Sequence, residues 1–526
     1  MSRKTVKIDR SLQFDLLGEN PTSSTDKHLN VAASRRTFIA PDRHELFLGM
    51  TPLDRYLEQA SLIAPLSVAR VLDAQDWSEF ESRYAQTGRA PYAPRVMMGL
   101  ILYGIMQGIT SLRRLEKFAR QDLGCLWVTG GICPDHACLG RFIIMHDASF
   151  SNGLFESLTR TVLKVTGSDG QCLAGDGTVV EAACSHYKLL KEDAVKSQVE
   201  QAKKAERESP DNKACQQQAA LAIQVEETFD ARKQARLNKA STTESLAVSP
   251  TEPEAMVQPQ KRGRGKAASY KPSVLANKQR VILAHDVDPS HENALIPGLL
   301  KQSQRVSGER VRDLLLDAGY HCDSVINTAI AEEINLLCPD GKSVNQPRSG
   351  KVFPKSRFIY HSVDDVYECP AGEWLRPGPQ GNKKYKMYRT AACKHCPIKG
   401  ECTRAKAGRR IRRLEGDAAK EALREVMQQP QAKKEFAQRQ AMVEPVFSYL
   451  RLIQGLTRFR RRGLSGVKRE FALHVLAYNL SRAVAALFCV LLALRGVYWK
   501  VVLMGRDLFA GKIWIPTVPH SRFKVA

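Results

Sequence analysis

The chain has 526 residues, 43% of them hydrophobic and 25% charged. That balance excludes a disordered or fibrous polypeptide and leaves length for about three domains. Lys and Arg number 79 against 55 Asp and Glu, a formal net charge of +24; such an excess points to a polyanionic partner, nucleic acid before an acidic membrane surface. The 13 cysteines are odd in number and scattered, and the opening MSRKTVKIDRSLQFDLL has no apolar signal core. A reducing, cytoplasmic setting is expected, without a disulfide framework.

Residues 1–40 are polar and read as a flexible arm. Residues 41–165 read as a helical DNA-binding domain. In APRVMMGLILYGIMQG, Pro94 suits a first helical position and the run is apolar on nearly all sides, which predicts a buried helix. In SLRRLEKFARQDL, Ser111 is placed to cap. Leu112, Leu115 and Phe118 fall at helical spacing, which leaves Arg113, Arg114, Lys117 and Arg120 on another face. PDHACLGRFIIMH opens with Asp135 as a cap and carries Arg141. Short helices with a basic face suggest a helix-turn-helix that meets double-stranded DNA; the alternative is a bundle with a solvated basic face.

The pattern changes at residues 166–186, where QCLAGDGTVVEAA reads as strand. Asp176-Gly177 raises two readings: a two-residue hairpin turn, or a functional carboxylate held on a core strand. Residues 187–269 read as a helical insertion followed by a basic loop, KRGRGK, with 241–271 expected to be loop or disordered. Over 270–340, RVILAHDV, DLLLDAG and INLLCP read as strands alternating with helices, an α/β core with partly parallel strands. Residues 341–412 are irregular, basic and Cys-bearing, 413–495 helical, and 496–526 a tail. AVAALFCVLLAL (483–494) is too short to span a bilayer and reads as a buried helix, so no membrane partner is expected.

Asp176 interrupts an apolar strand, Asp317 ends one, and Glu444 precedes Pro445. A proline is unwelcome inside a helix, so a helix is expected to begin or kink at Glu444. Val443, Phe447 and Leu450 then mark its inner side and point Glu444 toward the core edge. Three such carboxylates make an oxygen-only set suited to two Mg²⁺ or Mn²⁺ ions. Paired ions of that kind activate a water and stabilise the leaving oxygen of a phosphodiester. The plain alternatives are a hairpin turn at Asp176, a helix cap at Asp317 and a solvated helix-start carboxylate at Glu444. Asp286 and Asp288, flanked by His285 and His291, are rivals to these carboxylates, but Asp288-Pro289 reads better as a turn after a strand.

Cys369, Cys393, Cys396 and Cys402 are spaced C-x23-C-x2-C-x5-C, which allows a structural Zn²⁺ with His395 as a rival ligand, or four unrelated thiols. RFRRRG places Arg458, Arg460, Arg461 and Arg462 around Phe459, a candidate DNA-backbone contact anchored by the ring.

The blocks GRAPYAPRVMMGLILYGIMQGITSLRRLEKFARQDLGCLWVTGG, PDHACLGRF, DGTVVEA, LLLDAGY, CPAG…CKHCPIKGEC, VEPVFSYLRLIQGLTRFRRRGL and LAYNLSR occur in order over about residues 85–485. Together they resemble bacterial insertion-sequence DDE transposases with a ribonuclease-H-like catalytic domain and a Cys-rich insert. The resemblance implies an α/β, ribonuclease-H-like mixed sheet formed by 166–186, 270–340 and 413–495, with an N-terminal helical domain and a helical insertion. It implies catalysis and metal binding by Asp176, Asp317 and Glu444, strand cleavage at element ends, and transfer of the freed 3′-hydroxyl to target DNA. A homodimer on paired ends, close to the nucleoid, follows from the same likeness. Relatives carry a Tyr, an Arg and a Lys around the Glu; here Phe436 stands nearby with Arg439 and Arg451, both candidate DNA contacts, and Arg451 keeps the charge of the Lys and with it the means to hold a phosphate. The competing reading is a catalytically inactive DNA-binding descendant of such an enzyme. A third is a zinc-dependent nucleic-acid-binding module whose α/β core is only a scaffold.

Overall fold

A computed structural model describes residues 37–185, 187–238, 242–259, 265–341, 352–379 and 385–509, with side chains as far as residue 489. Most of the expected arm, and residues 261–264 of KRGRGK, lie outside the described residues. Residues 37–40 belong to the first domain, because the Ile39 N–H donates to Pro91 O at 2.8 Å and the Ala93 N–H to Ile39 O at 3.1 Å.

A small hairpin, β1 (Phe47–Leu48) and β2 (Thr51–Pro52), leads into α1 (Leu53–Gln59), α2 (Ile63–Asp73), α3 (Ser78–Glu81) and α4 (Pro94–Met106). Pro94 opens α4 as its fixed φ allows, and all of α4 but Arg95 is buried. Next come α5 (Leu112–Gln121), α6 (Leu123–Thr129), α7 (His136–Met145) and α8 (Phe155–Thr166). Asp122 caps α6 and Asp135 caps α7, their carboxylates accepting from Cys125 N at 2.7 Å and Cys138 N at 2.6 Å. Ser111 sits at the start of α5, but its side chain makes no capping bond, contrary to expectation.

The sheet is built around β3 (Cys172–Gly177), followed by β4 (Val180–Glu181). The insertion α9 (Glu192–Glu208) and α10 (Lys213–Leu237) is a helical hairpin, closed by Val195, Val225 and Phe229. The expected loop over 241–271 contains β5 (Met256–Pro259) and the first half of β6 (Lys266–Ala276). Alternating small and aromatic residues, Ala268 and Tyr270 among them, are buried there, which the basic composition of KRGRGK disguised. Then follow β7 (Ile282–Asp288), α11 (Ile296–Ser307), β8 (Asp313–Leu315), α12 (Asp323–Ala331) and β9 (Asn335–Leu337). β6 is antiparallel to both β3 and β7, whereas β8 is parallel to both β3 and β9. The order β7-β6-β3-β8-β9 is the ribonuclease-H-like mixed sheet, so the α/β fold with an N-terminal helical region is observed.

The segment read as irregular is largely a five-stranded antiparallel meander: β10 (Ile359–His361), β11 (Val366–Glu368), β12 (Trp374–Pro377), β13 (Tyr385–Arg389) and β14 (Ile411–Leu414), with the short α13 (Lys399–Cys402) before its last strand. Its strands are too short for a clear period-two signal. They hold through a small core of Phe358, Tyr367, Leu375, Tyr388 and Ile411.

The chain closes with α14 (Asp417–Gln428), α15 (Pro430–Leu452) and α16 (Gly463–Phe509). α15 does not begin near Glu444; it runs through Pro445. A proline there removes the N–H that would bond Ala441 O, a loss of about 3 kcal/mol in an ordinary helix. Arg280 Nε donates to that carbonyl at 3.0 Å and supplies the missing partner. α16 packs on α2, α4, α8 and β7, and so joins the helical domain to the sheet. Its buried Asn479 pairs with both the N–H and the C=O of Ile282, at 3.0 and 2.8 Å, covering the exposed edge of β7. Residues 463–489 are long and apolar enough to cross a bilayer, but 67% of the defining window is buried in the protein, as in a core helix.

Candidate active site

The register of β3 and β8 pairs Cys172 with Asp313 and Ala174 with Leu315. Continued by two residues in parallel, that register brings Asp176 beside Asp317 at the carboxyl edge of the sheet, on one face by the two-residue alternation of strands. Asp176 lies inside β3, paired with Val274, and Gly177 is paired with Ser273. The hairpin reading is thereby excluded. Asp317 follows β8 and keeps its capping task as well, its Oδ1 accepting from Gly319 N at 2.8 Å.

One guanidinium joins the two aspartates. Arg439, on α15, stands 3.0 Å from Asp176 Oδ1 and 4.0 Å from Asp317 Oδ2. Its Nε and Nη2 also donate to Gly175 O at 3.3 and 3.1 Å. Burial pushes the Asp176 carboxyl above its ordinary value; Arg439 opposes this, while the charges of Asp317 and Glu292 add to it. Two carboxylates converge on one positive charge, and their oxygens are the hard donors that divalent cations take. Beside them the Tyr320 hydroxyl meets both the buried Ser273 hydroxyl and the Glu292 carboxylate.

Glu444 stands apart. It is exposed, and its Oε2 accepts from Gln440 Nε2 at 3.0 Å; among the described residues it makes no bond to either aspartate. The expectation that it points to the core edge is corrected. Met442, Val443, Val446, Phe447 and Leu450 take the buried face of α15, and Glu444 falls outside it. Among the described residues no three His, Cys, Asp or Glu side chains converge as a metal-ligand set.

Other basic candidates divide into two kinds. Arg451 is used internally, donating to Thr178 Oγ1 and to Val179 O, which pins the end of β3 to α15. Arg458 donates to Ala182 O at 3.0 Å and to Cys184 O, and Arg460 to Thr110 Oγ1 at 2.7 Å. The 458–462 loop is anchored by buried Phe459 and by Glu470, which accepts from the backbone N–H groups of Arg460 and Arg461. Arg461 is half-buried and Arg462 exposed. The second kind lines a groove of about 390 Å³ between α5 and α7, with Arg113, Lys117, Arg120 and His136 around Glu116. Glu116 holds His136 at 2.8 Å and Arg120 at 3.0 Å. Arg114 and Arg141 are exposed on the same helices.

Cys369, Cys393, Cys396 and Cys402 all line one cavity of about 20 Å³ with Phe358 and Ile398, and burial raises the Cys402 thiol pKa. They are gathered, but not into a ligand arrangement. Asp288 makes the expected turn, accepting from the N–H groups of Ser290 and His291 at 2.6 Å each. His285 is enclosed and kept neutral, its pKa pushed down by burial to about 4.

Sequence reading missed Glu292. It ion-pairs with Lys271 at 3.1 Å and lies where a side chain at 177 would be: a Cβ built on Gly177 would sit 2.6 Å from Glu292 Cδ. The single sequence signal was a carboxylate just ahead of a helix, in HENALIP.

Two family models match the chain. The model described as transposase DDE domain covers residues 368–484, which include Glu444, Arg439 and the cysteines. The model described as transposase domain (DUF772) covers residues 56–144, which include α5 and most of α7. No curated protein matches the chain. Both transposase domain models match one polypeptide that also carries a ribonuclease-H-like sheet, which supports an insertion-sequence DDE transposase.

Proposed function

We propose that this transposase binds the ends of its own insertion sequence in double-stranded DNA, cuts there with divalent cations held by Asp176, Asp317 and Glu444, and joins the freed 3′-hydroxyl to target DNA. The observation that carries the reading is the pair Asp176 and Asp317, side by side at the sheet edge and sharing Arg439. Bound Mg²⁺ or Mn²⁺, two ions in this reading, would lower the pKa of water or hydroxyl and offset charge on the phosphodiester oxygens. The residues' own work is positional. Asp317 is oriented by Gly319 N, and Asp176 is fixed by the pairing of β3. Arg439 balances the charge of the pair, and Glu444, on the same helix, is the third carboxylate of the proposal. The groove between α5 and α7, with Arg114 and Arg141, offers phosphate contacts. Arg458, Arg460 and Arg462 extend that basic surface toward the site. Work in a bacterial cytosol as a homodimer on paired ends completes the proposal.

The test incubates the purified chain with labelled end DNA in Mg²⁺. The wild type is expected to cut, and Asp176→Asn to bind the ends without cutting; cleavage by the variant would remove the site assignment. The separated Glu444 favours a second reading, a DNA-binding descendant that does not cut. End binding with no cleavage by the wild type, in Mg²⁺ or Mn²⁺, would support it. A structural Zn²⁺ on Cys369, Cys393, Cys396 and Cys402 is a separate proposal, supported by their shared cavity and opposed by the lack of a ligand arrangement among them. One zinc per chain on release assay supports it, and none removes it.

A further inference from the structure

We propose that the outer face of the β10–β14 meander binds single-stranded DNA, with a base stacked on Trp374 and phosphates held by Arg376 and Arg389. The proposal rests on DNA as the partner of this chain, and not on cleavage by it. Side chains alternate between the two faces of a strand. Tyr367, Leu375, Tyr388 and Ile411 are buried on the inner face of the meander. Their neighbours therefore face outward: Trp374 and Arg376 on β12, Arg389 on β13 and Arg412 on β14. All four are exposed, Trp374 at 45%.

The charge pattern points to an anion. β12 and β13 pair with Arg376 directly opposite Arg389. Like charges so placed destabilise a sheet. Nearby carboxylates are taken by other cations: Asp365 by Lys386 at 2.9 Å, Glu368 by His361 at 3.0 Å, and Glu421 by Arg413 at 3.0 Å. Among the described residues none of them pairs with Arg376 or Arg389. The sequence that joins the two strands, GPQGNKK (378–384), brings lysines and no carboxylate. A phosphate chain laid across β12 and β13 would replace the repulsion with charge-assisted hydrogen bonds. Trp374 selects the kind of DNA. It stands two residues from Arg376 on the same face of β12, and its ring meets the His361 ring edge-on at 4.9 Å between centroids. Bases inside a duplex are already stacked on their neighbours, so a ring on an open sheet takes an unpaired base. Arg412, 5.0 Å from the centroid of the Tyr385 ring, continues the aromatic and basic strip onto β14. The meander is tied by α14 to the sheet that carries Asp176 and Asp317: Glu421 holds Arg413 of β14, and Arg424 pairs with Asp340 just past β9.

The experiment follows binding of the full-length chain by fluorescence anisotropy over a salt series, without Mg²⁺, to labelled oligo-dT of about 15 nucleotides and to a duplex of the same length. Four proteins are compared: wild type, Trp374→Leu, Trp374→Phe, and Arg376→Gln combined with Arg389→Gln. Loss of one base–aromatic stack is expected to weaken oligo-dT binding by Trp374→Leu about 5- to 100-fold. Trp374→Phe should keep most of the affinity, and duplex binding should stay as in wild type. The double arginine variant should flatten the dependence of log affinity on log salt for oligo-dT by about 1.4, at about 0.7 for each phosphate contact. It should melt no lower than wild type, because it removes like charges from facing positions. Unchanged oligo-dT binding by Trp374→Leu overturns the proposal, and so does an equal loss on single strand and duplex. A double variant that melts several degrees lower shows the arginines to be structural braces and overturns it too. Should Trp374→Leu not fold, Trp374→Gln is read in the same way. A wild type that binds the duplex but not oligo-dT overturns this surface alone; one that binds neither overturns DNA as the partner as well.

Discussion

At the scale of single residues the site is a problem in charge. Asp176 is three-quarters or more buried, and its charge is tolerable because Arg439 lies against it. Removing one partner of such a pair leaves the other uncompensated, at a cost of a few kcal/mol, about 3–5 for a fully buried pair and less at this partly open edge. Arg439→Met should therefore lower the melting temperature at neutral pH by several degrees. Asp176→Asn together with Arg439→Met should recover most of that loss, since the double variant buries no lone charge. A double variant as unstable as the sum of the two singles would mean that the pair is not coupled. Asp176 and Asp317 were legible in the sequence because each broke an apolar run at a strand end. Glu292 was not, because its meaning comes from a gap at Gly177 that only the assembled sheet reveals. Arg439 was legible only as a charge near Glu444, and its contact with two strands could not be read from spacing.

At the scale of elements, long periodic helices were readable and short strands were not. α4 announced itself by Pro94 and an unbroken apolar run, whereas the meander of β10 to β14 hid in a basic, turn-rich stretch. Of the two readings of Pro445, a helix start or a kink, the start fails, because the local signal of a proline does not decide where α15 begins. A contact made in three dimensions, Arg280 to Ala441 O, outweighs that signal. Replacing Arg280 with Ala should cost about 0.5–1 kcal/mol, since the bond is exposed and water partly replaces it. In a Pro445→Ala background the restored N–H bonds Ala441 O, so the same replacement should cost markedly less. Urea melts of the four proteins give the coupling, and additivity would sink the account. The meander has its own signature in pH. Asp365 accepts from Tyr360 at 2.7 Å, Tyr388 at 2.5 Å and Lys386 at 2.9 Å. These bonds, Tyr360 first, hold its pKa at about 2 against an unfolded value of 3.8. A depressed carboxylate pKa gives stability that is present above about 4 and lost as pH falls through about 2. Tyrosine fluorescence of the wild type should report loosening of the meander across that window. Asp365→Asn should be less stable at pH 7 and lose this pH dependence.

At the scale of the whole molecule, the +24 charge alone does not say where DNA lies. Several of the arginines that looked like phosphate contacts in the sequence bond the chain itself: Arg439 and Arg451 hold α15 to β3, and Arg458 holds the loop to the strand edge. What is left exposed and clustered is the α5–α7 groove. Each phosphate contact by a cation releases condensed counterions and adds about 0.9 to the steepness of the dependence of log affinity on log salt for duplex DNA. Replacing Arg113, Lys117 and Arg120 together by Ala should flatten that slope by about 2–3 if each meets a phosphate. The control removes the same three charges elsewhere, at Lys203, Lys204 and Arg207 on exposed parts of α9. If the groove is the interface, the control should change affinity slightly and the slope by less than about 0.5. Fluorescence anisotropy with end DNA over a salt series measures both. Equal flattening in the two triple variants would show that the excess charge acts as a diffuse field and that α5 and α7 do not form the contact surface.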